Sequence, residues 1–230
     1  MKRTTKIGLL FTVCLAQAAF FLSRGAAQPA AHRGAAARPG SESAPAAEHP
    51  TCEDPAALTA QDREVLAWAN DFAKEVTQVL EKWVQSNSVA EDKLFSRFYF
   101  PVPKTDPPKF NTEYDALADR ELPAIQERYL AKSSAMVYAI LTDENGYVPT
   151  HNQRYSQPPT GNRAVDLVNS RSKRIFVDRT GFAAARSEAP HLVQRYQRDT
   201  GERMADLSIP VRVRGKHWGC IRMGYNVVEK

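Results

Sequence analysis

The last forty residues hold three β-prone runs separated by short turns, and this pattern constrains the fold more than any other stretch. His191 to Arg198 runs to a turn at Asp199-Thr200-Gly201-Glu202. Met204 to Val213 runs to Arg214-Gly215-Lys216, and Trp218 to Val227 follows. Runs this short, joined by loops this tight, can only pair with their neighbours, which makes an antiparallel meander. An earlier pair adds to it: Met136 to Leu141 is apolar, and Asp143-Glu144-Asn145-Gly146 carries an Asn-Gly turn that favours positive φ, with Tyr147 to Thr150 as the returning strand. The expected sheet is five-stranded and antiparallel, with the segment from Asn162 to Arg186 as short helices and loops over one face.

Before the sheet the pattern is helical. Thr59 with Asp62 reads as a capping box, and Val65, Ala69, Phe72, Val76, Val79 and Trp83 recur at spacings of four and three. That predicts one long helix over 59–85. Its stripe packs on the chain's own sheet or on the same helix of a second copy; Leu66, Ala73 and Leu80 make it wider than a coiled-coil seam, which favours the sheet. From Phe95 to Phe110, aromatics and prolines suit a packed, extended connector. Thr112 with Asp115 then opens a second helical stretch, in which Pro123 ends one helix or starts another.

The N-terminus reads as a targeting segment. Lys2, Arg3 and Lys6 precede an apolar run from Ile7 to Leu22, and the small residues Gly25, Ala26 and Ala27 follow. Residues 1–27 are expected to be a signal peptide cleaved after Ala27. A spanning helix would need roughly 20 apolar residues, so an uncleaved inner-membrane anchor over 7–22 is the alternative. Residues 28–57, rich in Ala, Pro, Gly and Ser, are expected to be a disordered linker. The folded part is then 58–230, mainly helical over 58–132 and sheet over 133–230, in a periplasmic protein.

Charge narrows the partners. Residues 1–27 carry four bases and no acid, so the formal net charge of +5 falls to +1 without them. A nearly neutral protein offers no electrostatic case for nucleic acid. Removing the segment also leaves Cys52 and Cys220, which an oxidising compartment lets pair; a free, buried Cys220 is the other reading.

Catalytic signatures are missing from the sequence: there is no Gly-x-Ser-x-Gly elbow, no phosphate-binding glycine loop and no His-Glu-x-x-His pair. Asp143 with Glu144 reads as an exposed turn, not as an acid/base pair. His32, His49, His151, His191 and His217 lack metal-ligand spacing, and Cys-x-x-Cys-His is missing as well. No cofactor is expected; non-covalent haem on His151 or His217 is the single exception the histidines leave open.

The run Asp143-Glu144-Asn145-Gly146-Tyr147-Val148-Pro149-Thr150-His151-Asn152, then Arg154-Tyr155-Ser156-Gln157-Pro158, Lys173-Arg174-Ile175-Phe176, Asp178-Arg179-Thr180-Gly181, Asp199-Thr200-Gly201-Glu202 and Gly215-Lys216-His217-Trp218-Gly219 resembles a sensory domain of bacterial methyl-accepting chemotaxis proteins. The resemblance implies an α+β, PAS/Cache-like fold: an antiparallel sheet, a long N-terminal helix, helices covering one face and a ligand cavity between. It implies detection of a small molecule without catalysis. Such receptors also carry a long helical signalling region, which the resemblance does not include. A free-standing sensor is therefore expected either to hand its ligand to a membrane receptor or to have lost signalling, and a homodimer or receptor-docking protein using the helix 59–85 is the alternative.

Three clusters are candidates for the ligand. His151, Asn152, Arg154, Tyr155 and Gln157 offer donors for a carboxylate, or else cap backbone groups of a buried loop. Arg171, Lys173, Arg174, Arg179 and Arg186 suit an anion, but Asp166, Asp178 and Glu188 lie close enough in sequence to make a salt-bridged surface; Arg174, beside Ile175 and Phe176, is the one expected to turn inward. His217, Trp218 and Arg222 form the third. The two-residue period of a strand puts Trp218, Cys220 and Arg222 on one face, which borders the cavity if it is the inner one and is core otherwise.

Overall fold

A computed structural model describes residues 57–197 and 203–228. The expected signal peptide (1–27), nearly all of the expected linker (28–57), Cys52 and the turn at 199–202 lie outside the described residues.

Helix α1 (Ala60–Gln85) starts where the capping box predicts: the Thr59 hydroxyl accepts the Asp62 amide and the Asp62 carboxylate accepts the Thr59 amide. Its stripe is spent inside the chain. Val65, Ala69, Phe72, Val76, Leu80 and Trp83 are all buried, and the helix packs on strands β7 (Arg203–Val213) and β8 (Lys216–Asn226). Each such side chain contributes on the order of 1.5–3 kcal/mol when fully buried. The polar end is fixed too, since Tyr225 and Arg195 each place a donor 2.5 Å from the Asp62 carboxylate.

A short helix α2 (Glu91–Leu94) leads to a two-stranded ribbon, β1 (Phe100–Val102) with β2 (Lys109–Asn111). Helices α3 (Asp115–Glu121) and α4 (Pro123–Leu130) follow, divided at Pro123, which opens α4. Helix α4 lies beside α1, with Phe72 and Tyr129 stacked at 4.7 Å.

Among the described residues the main sheet has four antiparallel strands, in the order β3 (Met136–Asp143), β8, β7, β6 (Leu192–Gln197). The expected fifth strand is elsewhere. Tyr147–Val148 forms β4 and pairs with β5 (Arg174–Ile175), not with β3. The cause is Asp143, which is fully buried and not in an exposed turn as its sequence setting suggested. One carboxylate oxygen accepts the amides of Asn145 and Tyr147, and the other accepts the Tyr99 hydroxyl. The amide that would start a hairpin ladder is thereby engaged, and the chain leaves the sheet. Gly146 supplies the positive φ, +80°, at the corner.

Strand alternation gives the sheet two unlike faces. Leu141, Leu207, Ile221 and Met223 face α1 in the core. Tyr138, Met204, Asp206 and Arg222 face the opposite way, toward the segment from Thr150 to Arg186, which contains α5 (Arg163–Asn169), β5 and α6 (Arg179–Arg186). Helical cover therefore lies on both faces of the sheet. Among the described residues no helix is long and apolar enough to cross a membrane.

Candidate functional site

Between the second face of the sheet and its cover is a cavity of about 380 Å³. A space of this size suits a small metabolite. The sheet contributes Tyr138, Ile140, Tyr196, Met204 and Arg222, and the cover contributes His151, Tyr155, Arg171 and Phe176.

On the sheet side, Arg222 is neutralised. Its Nε and Nη2 donate to Asp206 Oδ2 at 3.0 and 2.7 Å, and the Tyr138 hydroxyl donates to the same oxygen. Burial alone would lower the Arg222 pKa, but Asp206 beside it holds it above its ordinary value. This pair is closed on itself.

Arg171 is open. Its backbone amide is tied to the Tyr155 carbonyl at 2.7 Å, and its guanidinium lies over the Phe176 ring at 5.0 Å. Among the described residues that guanidinium has neither an ion pair nor a hydrogen-bond acceptor, although it lines the cavity. Burial, and then the neighbouring charge of Arg222, lower its pKa. It nonetheless remains a cation at neutral pH, because arginine starts so high. The carboxylates near it in sequence bond other groups, Asp178 from within the same cavity lining. Asp166 accepts from the amides of Thr160 and Gly161, Asp178 caps α6 through the Gly181 amide, and Glu188 pairs with Arg212.

His151 provides a neutral donor beside it. The imidazole Nδ1 accepts the Asn152 amide at 2.8 Å, which leaves the proton on Nε2, with no partner among the described residues. Burial first, then Arg171, Arg222, Arg154 and Arg174, hold its pKa well below the usual histidine value. Tyr155 meets the His151 ring edge-on at 5.0 Å, and its hydroxyl is likewise without a partner among the described residues. A cation and two neutral donors in a space lined with aromatic rings form a site for an anion.

The structure thus brings together His151, Tyr155, Arg171 and Arg222 of the residues singled out from sequence. Asn152 is fully buried and structural: its side chain accepts the Ala139 amide and donates to Glu127. Arg154 packs on the Tyr155 ring and donates to the carbonyls of Met136 and Val137. Arg174 donates to the Leu167 carbonyl at 3.2 Å and stacks on Phe176, outside the lining. Among the described cysteines Cys220 is a free, buried thiol near Thr142.

Trp218 is on the other side of the sheet from Arg222. Val211 pairs with Gly219 and Arg212 with His217, so Trp218 is an extra residue in a β-bulge. The bulge breaks the two-residue period, and Trp218 packs against Tyr114 at 5.9 Å with its indole N–H on the Leu94 carbonyl. His217, on the cavity side of the bulge, bonds the Ala185 carbonyl. Tyr138 and Tyr196 are not among the sequence candidates, and Arg171 is there only as one member of the basic cluster in which Arg174 is the residue expected to turn inward. A register shift between Met136 and Tyr138 puts Tyr138 on the face opposite the core residues Met136, Ala139 and Leu141, which strand periodicity alone does not predict, and no local signal separates Arg171 from the basic residues around it.

No protein-family model matches the chain, and no curated protein matches it. Among solved structures the chain is similar to the ligand-binding domain of the Pseudomonas aeruginosa PAO1 amino acid chemoreceptor PctC in complex with GABA. The identity is 16%, over 73% of this chain and 62% of that one, with a TM-score of 0.27. The chain therefore spans less than two thirds of the chain it matches.

Proposed function

We propose that this chain is an exported sensory module of the PAS/Cache type that binds a small anion, foremost a carboxylate, in the cavity between its sheet and the covering segment. The observation that carries the reading is the Arg171 guanidinium, which lines the cavity with no carboxylate bonded to it among the described residues, Asp178 of the same lining being engaged as the cap of α6. Burying an unpaired cation costs free energy, and a bound anion offsets that cost. The His151 Nε2–H and the Tyr155 hydroxyl supply the neutral donors. The arrangement of a long helix on one face of an antiparallel sheet and a cavity on the other supports the PAS/Cache assignment.

Binding to the folded state alone raises apparent stability, by about 2.7 kcal/mol at a hundredfold excess over Kd. Thermal shifts against acetate, succinate, benzoate and the free amino acids at constant ionic strength test this. At least one should raise Tm in the wild type and lose its effect in Arg171→Ala. An unchanged Tm across the whole panel would sink the anion reading.

A further inference from the structure

A lysine on a different element bonds both chain neighbours of Arg171. Lys109 of β2 is 8% exposed, and its Nζ donates to the carbonyls of Ser170, at 3.1 Å, and Ser172, at 2.6 Å. These are the residues on either side of Arg171. Among the described residues no carboxylate is within bonding distance of that ammonium, so its two bonds are to neutral acceptors. Further ties of the loop run to the segment that carries His151 and Tyr155. The Ser172 hydroxyl accepts the His151 amide at 2.8 Å, and the Ser170 hydroxyl donates to the Gln157 carbonyl at 2.7 Å. Among the described residues, the hydrogen bonds that hold the loop to the β1–β2 ribbon are those of Lys109 and the bond from the Phe110 amide to the Lys173 carbonyl.

We infer that Lys109 is the positioning residue for the Arg171 guanidinium, and that the charge on Lys109 sets how firmly the cavity's anion-binding group is held. The inference rests on the anion-binding reading of the cavity and adds a regulation to it. An ammonium makes charge-assisted bonds to both carbonyls, whereas an amine keeps only weaker ones. The charged groups facing Lys109 are Arg174 of β5, Lys173 next to it, and Asp166 of α5. Burial, then Arg174, and more weakly Lys173, bring the Lys109 pKa down to about 8, with Asp166 opposing them. Below that pH the loop is clamped; above it the clamp weakens.

The test needs no ligand. In the full chain labelled with ¹³C at arginine Cζ, the Arg171 resonance is assigned by its loss in Arg171→Lys. In the wild type it should move with a midpoint near pH 8 and broaden above it. In Lys109→Arg, which keeps its charge, it should stay fixed and sharp through that range. In Lys109→Met it should be broad at every pH, while the circular dichroism spectrum is unchanged. A wild-type resonance indifferent to pH between 7 and 9.5, or a titration that survives in Lys109→Arg, overturns the inference. Either result leaves the carboxylate panel to decide the cavity reading separately. Even if Lys109→Met fails to fold, the comparison of wild type with Lys109→Arg still decides.

Discussion

Arg222 and Asp206 meet through one oxygen: both guanidinium donors and the Tyr138 hydroxyl converge on Asp206 Oδ2, while Oδ1 has no partner. The two side chains come from adjacent strands, project from the cavity face, and are almost wholly withdrawn from solvent. Arg222 is thereby fixed and discharged. Arg171, across the cavity, is the guanidinium left with charge to offer.

Removing one member of a buried pair leaves the other charge uncompensated, a loss of about 3–5 kcal/mol. Asp206→Ala is expected to lose stability on that scale in urea unfolding. It should also gain affinity for carboxylates, since it frees a second guanidinium at the same cavity. A loss under about 1 kcal/mol would mean that Arg222 reaches water and that the pair is not closed.

The bulge at Trp218 makes a separate prediction. The indole packs on the α1 side, so Trp218→Ala should cost about 3–5 kcal/mol as a core truncation. Trp218→Phe should cost less and leave carboxylate-induced thermal shifts intact. A folded Trp218→Phe protein that no longer responds to any carboxylate would place the ring in the cavity, against its contacts with Leu94 and Tyr114.

What could be read from the sequence was what is decided locally. The Thr59–Asp62 box and the four-three stripe are set by neighbours one turn away, and the structure starts and buries α1 accordingly. Strands β6, β7 and β8 pair across short connections and were equally legible. The fifth strand was not, because the partner of Tyr147–Val148 is Arg174–Ile175, far along the chain, and because a buried Asp143 redirects the turn. Trp218 was misplaced by one inserted residue, which strand periodicity cannot detect. Arg171 stands among the anion candidates but behind Arg174, because Asp166 and Asp178 look like its counter-ions in sequence; the structure bonds Asp166 to the amides of Thr160 and Gly161 and Asp178 to the Gly181 amide.

His151 gives the cavity a pH signature. Its pKa in the folded protein is held well below the ordinary 6.5, so the unfolded chain takes up a proton that the folded one refuses as pH falls below that value. Stability from this group is complete above about pH 6.5 and declines on acidification, by up to about 1.4 kcal/mol per pH unit. Unfolding free energies at pH 7, 6 and 5 should therefore fall more steeply in the wild type than in His151→Gln. Parallel slopes for the two proteins would show that the imidazole is solvated and protonates freely.

Gly146 and Gly215 form a controlled pair for the last prediction. Both adopt positive φ, +80° and +77°, so alanine strains the backbone at either, by about 1–3 kcal/mol. Their surroundings differ. A Cβ on Gly215 would meet nothing within 4 Å, whereas on Gly146 it would sit 2.3 Å from the Phe176 carbonyl oxygen. Backbone cannot swing aside as a side chain does, so Gly146→Ala must push the end of β5 outward and carry the Phe176 ring with it. That ring is the surface under Arg171, at 5.0 Å. Gly215→Ala should therefore lower Tm and keep the carboxylate response, while Gly146→Ala lowers Tm further and weakens that response. Equal effects of the two on binding would show that the Phe176 platform does not orient the Arg171 guanidinium.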